Sequence, residues 1–366
     1  MTQIDDIADE LPDDDADDLD ETDESGAPGE IHERVNITTD RRQEPLRIDK
    51  FLMNRIEGAT RNKVQQALDQ GFILVNGQTV KSNYKVRPLD NIVVYSTKSR
   101  EQLEVIPENV PLDIVFEDDD IIILNKPAGL VVHPGCGNYT GTIVNGLAYY
   151  LGGEDINFEK PEIPRFGLVH RIDKNTSGLL AVAKSDKAMN DLAKQFKAHT
   201  VKRRYIALVW GDVAEEEGTV RAHVGRHQRF RKIMDAYPEG EHGKEAVTHY
   251  KVLERFGYVT LIECRLETGR THQIRVHMKY LGHPLFNDDT YGGNRIVKGT
   301  VFNKYKQFID NCFEIMPRHA LHAQTLGFVH PRTRQEIFFE NELPEDFTKV
   351  LDKWRVYVKA KNILES

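Results

Sequence analysis

The sequence predicts an α+β fold: a mixed, mainly antiparallel β-sheet with flanking helices, preceded by a small α/β module and a disordered acidic tail. Three observations carry this expectation. Six apolar β runs, DIVFE, DIIILNKP, GLLAVAK, RYIALVWG, THYKVLERF and YVTLIECRL, dominate residues 113–266. Helical patterns are fewer and do not alternate with the strands, as a doubly wound sheet would require. Residues 1–30 carry 14 acidic residues and no Lys or Arg, so that stretch repels itself and has little apolar surface to bury.

At 366 residues the chain is long enough for about two domains plus a tail. We divide it at 1–44 (acidic tail and linker), 45–105 (small module) and 106–366 (large domain). The net charge of −9 hides an asymmetry. Beyond residue 30, 49 basic residues face 44 acidic ones, and residues 45–100 alone hold 10 basic against 4 acidic. A basic module suggests a polyanionic partner. No apolar run approaches the roughly 18 residues of a membrane span, and MTQIDDIADELPDDD lacks the basic start and apolar stretch of a signal peptide. Cys136, Cys264 and Cys312 are odd in number and far apart, giving neither a disulfide framework nor a zinc motif. The expectation is a cytoplasmic protein with no membrane association.

In the small module, Ile48, Phe51, Leu52 and Ile56 recur at helical spacing until Gly58. Thr60 is a candidate N-cap and Gly71 a candidate C-cap of a second helix carrying Val64, Ala67 and Leu68. FILVNGQTV places Asn76-Gly77 between two short β runs, a hairpin signal, and NIVVY (91–95) reads as a further strand. In the large domain a helix is expected over about 186–199, with Ala188, Met189, Leu192, Ala193 and Phe196 on one face. Another follows Thr271, with Ile274, His277, Met278 and Leu281 on one face and Gly282 as its stop.

Two familiar motifs are excluded. GCGNYTG (135–141) spaces its glycines wrongly for a dinucleotide fingerprint and has no following Lys-Ser/Thr for a P-loop. His272 and His277 are five apart, on different helix faces, unlike the four-residue spacing of zinc sites. The polar cluster HRIDKNTSG (170–178) sits between two apolar runs, a turn at the mouth of a sheet where catalytic groups are often held. Read alone, Asp173 is one of many surface acids in a turn. ETGRTHQIRVH (267–277) gathers Arg270, His272, Gln273 and Arg275 at a helix start, where an anion or a base edge can be held. Its plainer reading is a solvated helix N-terminus. Residues 221–232 (RAHVGRHQRFRK) hold five Lys/Arg and no acid, either a phosphate-contacting arm or a solvated loop.

Together, HRIDKNTSG, KRRYIALVWG (202–211) and TGRTHQIRVHMKYLGHPLFNDDTYGG (268–293), led by LNKPAGLVVHPG (124–135), resemble the signature blocks of the RluA/RluD-type pseudouridine synthases. Residues 47–95 resemble an S4 RNA-binding domain. One departure is Ile172 where that family more often has Leu, a swap that conserves volume. The resemblance implies an isomerase that converts uridine in RNA to pseudouridine with no cofactor and no metal. It implies Asp173 as the catalytic carboxylate, Tyr205 as the aromatic wall and candidate proton acceptor, and Arg275 as the partner of Asp173. Arg171 would fill the gap left by the flipped base. Lys126, Arg270, His272 and Gln273 would be pocket or RNA-backbone contacts. The implied partner is RNA, either large-subunit (23S) ribosomal RNA or a pre-ribosomal particle, bound by a monomer. Two other classes compete. A non-catalytic RNA-binding ribosome-assembly factor should have lost a member of the Asp173–Tyr205–Arg275 set. A nucleoside hydrolase should show paired acids or metal-held water.

Overall fold

The computed structural model describes residues 32–56, 59, 61–96, 105–134, 138–152, 164–230, 233–300 and 302–365. The acidic stretch 1–30, Gly58, Thr60, Cys136 and most of the first glycines of GCGNYTG lie outside them. The described residues form two compact units, one ending at Val105 and one beginning at Ile106. Among them no helix is long and apolar enough to cross a membrane.

The smaller unit runs β1 (His32–Thr38), β2 (Leu46–Arg47), α1 (Ile48–Met53), α2 (Arg61–Asp69), β3 (Ile73–Val75), β4 (Gln78–Thr79), β5 (Lys85–Val86) and β6 (Asn91–Ser96). Its sheet order is β1-β6-β3-β4, every pairing antiparallel. Asn76 (φ 52°) and Gly77 (φ 78°) both occupy the left-handed region between β3 and β4, the geometry that lets a two-residue turn follow the strand twist. Phe51, Leu52, Val64, Leu68, Ile73, Val75, Ile92 and Val94 form its core. One expectation needs correcting: residues 31–44 are not all linker. β1 lies antiparallel to β6, with Val35 opposite Val94 and Ile37 opposite Ile92. HERVNIT offers only two apolar residues for burial, Val35 and Ile37, so the strand is specified by a partner more than fifty residues away rather than by its own pattern.

The larger unit is built on a nine-stranded sheet. Its strands are β7 (Ile114–Glu117), β8 (Ile121–Lys126), β9 (Ser177–Ala183), β10 (Lys202–Trp210), β11 (Glu217–Arg221), β14 (Val247–Arg255), β15 (Val259–Leu266), β16 (Leu321–Val329) and β17 (Glu336–Glu340). The order is β11-β14-β15-β10-β16-β9-β8-β7, with β17 beside β16. Among the described residues the one parallel pairing is β16 with β9, so the sheet is mixed and mainly antiparallel. A separate hairpin, β12 (His223–Arg226) with β13 (Met234–Tyr237), carries Arg226 of the basic segment, whose Arg221 ends β11 and whose Arg231 and Lys232 lie outside the described residues. Five helices flank the sheet: α3 (Ile143–Gly152), α4 (Asp186–Lys197), α5 (Gln273–Tyr280), α6 (Asn303–Ile315) and α7 (Glu345–Glu365).

The helices follow from local chemistry. Ser185 caps α4 by accepting the Ala188 N–H, Asp186 sits at its positive end and Lys194 and Lys197 at its negative end. Its apolar face, with Met189, Leu192 and Phe196, packs on β8 and β9, whose residues are buried on both faces. On the other side of the sheet, α6 and α7 bring Ile309, Phe347, Val350 and Trp354 against Trp210 and Phe286. These two cores clamp the central strands, and the loops at the ends of β9 and β10 are fixed by them.

Candidate active site

Asp173 lies on the loop that enters β9, and its turn closes with the Thr176 N–H donating to the Asp173 carbonyl at 3.0 Å. Gly178 (φ 116°) starts β9 beside β16, and a Cβ there would overlap the Ala323 carbonyl, so only glycine lets the two strands approach. Arg275, 4% exposed on α5, donates to Asp173 Oδ2 from Nη1 at 3.1 Å. Its other face is held by Asp288, which accepts from Nε at 2.8 Å and from Nη2 at 2.9 Å. The guanidinium is therefore fixed as a fork between two carboxylates. Burial works to raise the Asp173 pKa, but the His272, Arg275 and His319 side chains overcome it and hold the carboxyl well below its usual range. About a fifth of the Asp173 side chain stays exposed, leaving an ionised oxygen open to a substrate.

Tyr205 is buried on β10 at a register shift between β10 and β16. The extra residue at that shift is Gln324 on β16, and the Tyr205 phenol comes near enough to Asp173 for the carboxylate to help raise its pKa, burial being the larger cause. His272 is the N-cap of α5 in left-handed backbone (φ 56°), an uncommon conformation for a non-glycine residue. Its Nε2 stands 3.9 Å from Asp173 Oδ1, and its Nδ1 lies 2.8 Å from the Tyr291 hydroxyl. Arg171 is exposed, and its charge reaches His272. Arg270 is half-buried and donates from Nε to the Glu245 carbonyl.

Two expected pocket residues turn inward. Gln273 accepts from Thr268 Oγ1 and the Arg270 N–H, and donates to the Val247 carbonyl and Thr248 Oγ1. Lys126 is 1% exposed, and its ammonium donates to the carbonyls of Pro127, Leu130 and Lys174. Burial pulls its pKa down to about 7, while three carbonyl acceptors engage all three N–H bonds of the charged form. Both residues are thus bonded within the protein rather than presented to RNA.

The sequence reading missed the segment RHALH (318–322), and the structure gives it a clear task. Arg318 donates to the Asn175 carbonyl and forms a two-pronged pair with Asp346. His319 Nε2 meets Thr176 Oγ1 at 2.8 Å, and His322 Nδ1 meets Ser177 Oγ at 2.9 Å. With Lys126 on the Lys174 carbonyl, each residue from 174 to 177 is tied by a different buried side chain. A signal existed in the sequence: three basic residues within five positions leading into an apolar strand. Asp288 and Tyr291 were also missed as individual residues, although both lie in the FNDDTYGG stretch.

Of the histidine pair, His277 contacts Thr248 Oγ1 and the Ala222 carbonyl, and His272 contacts the Tyr291 hydroxyl. Asp118, Asp120 and His330 do lie within ligand distance of one another. However, His330 Nε2 donates to Asp118 and Arg332 pairs with Asp120, so these groups already have partners within the protein.

The buried histidines predict a pH response. Burial pushes His319 and His322 down to about 4, whereas the unfolded chain titrates near 6.5. Below 6.5 the unfolded state takes up protons that the native state refuses. Their stabilising effect is therefore complete above 6.5 and lost as pH falls towards 4. Each should withdraw up to about 2 kcal/mol by pH 5. Urea unfolding at pH 7 and pH 5 measures this, and His319→Gln with His322→Gln should flatten the difference. Equal stability of the native chain at both pH values would mean the rings are already charged in the fold.

Residues 120–280 match the family model described as RNA pseudouridylate synthase, and residues 46–92 match that of the S4 domain. The chain is 44% identical to an RNA pseudouridine synthase of Chlorobaculum parvum, over 87% of this chain and 97% of the relative. It is 45% identical to the RNA pseudouridine synthase YlyB of Bacillus subtilis, over 88% and 98%. To the ribosomal large subunit pseudouridine synthase D of Nitrosomonas europaea it is 39% identical, over 91% and 92%.

Proposed function

Since the chain belongs to the RNA pseudouridylate synthase family and is an RNA-acting isomerase with an S4 domain, we propose that it converts specific uridines of large-subunit (23S) ribosomal RNA to pseudouridine, with Asp173 as the catalytic carboxylate. The observation that carries this reading is the Asp173–Arg275–Asp288 fork: a part-exposed carboxylate kept ionised in a buried setting by one guanidinium. The ribosomal substrate is inferred from the likeness to relatives named for large-subunit modification.

The reaction breaks the C1′–N1 bond, turns the uracil and joins its C5 to C1′, so nothing is gained or lost overall. An ionised carboxylate can attack at the base or sugar, or take the C2′ proton so that a glycal forms. We favour the glycal route. Uracil must be retained between cleavage and rejoining, and the Tyr205 ring supplies a rigid wall. The target leaves its stack at a cost of a few kcal/mol, and Arg171, exposed two residues before Asp173, suits the gap. The hairpin β12–β13 carries Arg226 at one strand end and Arg229 beyond it, suited to phosphate contact. The competing role as a non-catalytic assembly factor is disfavoured because a binding factor has no need of an ionised carboxylate paired with a buried guanidinium, as Asp173 is with Arg275.

Ribosomal RNA labelled with tritium at uridine C5 tests this. Tritium release to water is expected, because C5 exchanges its hydrogen for the new glycosidic bond. Free uracil would identify a hydrolase, and neither product would leave an RNA-binding factor. Conversion of transfer RNA but not ribosomal RNA would remove the substrate assignment alone.

A further inference from the structure

Tyr291 fixes how His272 presents itself to the carboxylate. The Met234 N–H, from β13, donates to the Tyr291 hydroxyl oxygen at 3.1 Å. That hydroxyl lies 2.8 Å from His272 Nδ1, and with the Met234 N–H already on its oxygen, the arrangement that uses both polar groups fully has the phenol proton on the Nδ1 lone pair. Burial lowers the His272 pKa, so at neutral pH the ring is uncharged and its one remaining proton is on Nε2. That N–H faces the Asp173 Oδ1 side of the site across 3.9 Å, too far for a hydrogen bond to the carboxylate. Arg275 meanwhile engages Oδ2. The ring is packed edge-on against Tyr291, with centroids 5.6 Å apart, and about a quarter of the side chain is exposed. A neutral donor is thus held beside the reactive carboxylate, in a side chain that stays part-exposed.

We propose that His272 is a further catalytic residue, whose Nε2–H donates a hydrogen bond to the departing uracil. The inference rests on the isomerase reading above but not on a choice between its routes. In either route the C1′–N1 bond breaks with its electron pair passing to the base. The uracil then carries a negative charge shared by its ring nitrogens and carbonyl oxygens. In the glycal route Asp173 takes the C2′ proton and the C–H pair becomes the C1′–C2′ double bond, so the step balances as glycal, uracil anion and protonated Asp173. A fixed donor acts most strongly where charge develops, because it needs no reorganisation at that moment. The left-handed backbone of His272 is consistent with a side chain whose aim is set by its position.

The test uses the full chain and two RNAs that differ at the target, one with uridine and one with 5-fluorouridine. Fluorine withdraws electrons and stabilises the base anion, so the modified base depends less on an external donor. His272→Asn tolerates the left-handed backbone but is too short to place an N–H at the Nε2 position. It should slow single-turnover conversion of the uridine RNA by about 10²- to 10³-fold, with RNA affinity unchanged. On the fluorinated RNA, consumption of the target nucleotide should slow less than about tenfold. His272→Gln, whose amide can reach that position, should recover part of the loss. Equal slowing on both RNAs would mean the residue only shapes the site and would overturn the proposal, as would no slowing on either. Nitrogen NMR of the unbound native enzyme is an independent check: a proton on Nδ1 instead of Nε2 would also overturn it. If the wild-type chain converts neither RNA, the isomerase reading itself fails.

Discussion

Asp173→Asn should yield a protein that folds, binds its RNA and makes no pseudouridine. The substitution keeps the shape of the side chain and removes its charge, so the amide can neither attack a carbon nor accept a proton. Loss on the order of 10⁴-fold or more is expected when the central member of a catalytic set is removed in this way. Stability should change little. Arg275 keeps its two bonds to Asp288, and the loop keeps its ties from Lys126, Arg318 and His319, which engage residues 174–176 rather than the carboxylate. The measurements are tritium release and RNA affinity on the same preparation. Turnover within tenfold of the wild type would remove Asp173 from its role, and lost affinity would mean that the carboxylate organises the RNA surface instead.

The legibility of the chain followed the range of the interactions. Six of the sheet strands between 113 and 266 and helix α4 were readable because their periodicity, caps and lengths are local, whereas β11 (Glu217–Arg221) was not read. The hairpin at Asn76-Gly77 was readable for the same reason. β1 was not, because its pairing with β6 decides its structure. Helix α7 went unread despite the regular spacing of Phe347, Val350, Leu351 and Trp354, which is a periodicity missed rather than one absent. In the site, nothing local joins Asp173 to Arg275, 102 residues away. Only the resemblance paired them. The resemblance offered Lys126 as a pocket or RNA-backbone contact. Here the chain folds three carbonyls around it. Arg318, His319 and His322 gave no more signal than a basic cluster before an apolar strand, because they act on the backbone and hydroxyls of a loop more than 140 residues upstream.

Arg275→Met should damage both folding and chemistry, and the two losses should be separable. The methionine fills most of the volume but leaves Asp173 and Asp288 facing each other without the cation, Asp288 being fully buried. An uncompensated buried charge of this kind costs about 3–5 kcal/mol. Asp288→Asn added to Arg275→Met should recover much of that stability, because one of the two stranded charges is gone. It should not recover activity. Without the guanidinium, burial is opposed only by histidines whose own pKa values burial lowers, so that they carry little charge near neutral pH, and the Asp173 pKa must rise. A group whose pKa rises is ionised only at higher pH, so the residual rate of the single variant should climb with pH over a range where the wild type is flat. Arg275→Lys retains a charge but cannot present three separated N–H groups to two carboxylates, so it should fall between the two in rate. Urea unfolding and single-turnover rates from pH 5 to 9 give both quantities. If Arg275→Met were as stable as the wild type and its rate showed the same pH dependence, the guanidinium would not be what keeps Asp173 ionised, and the electrostatic account of the site would be wrong.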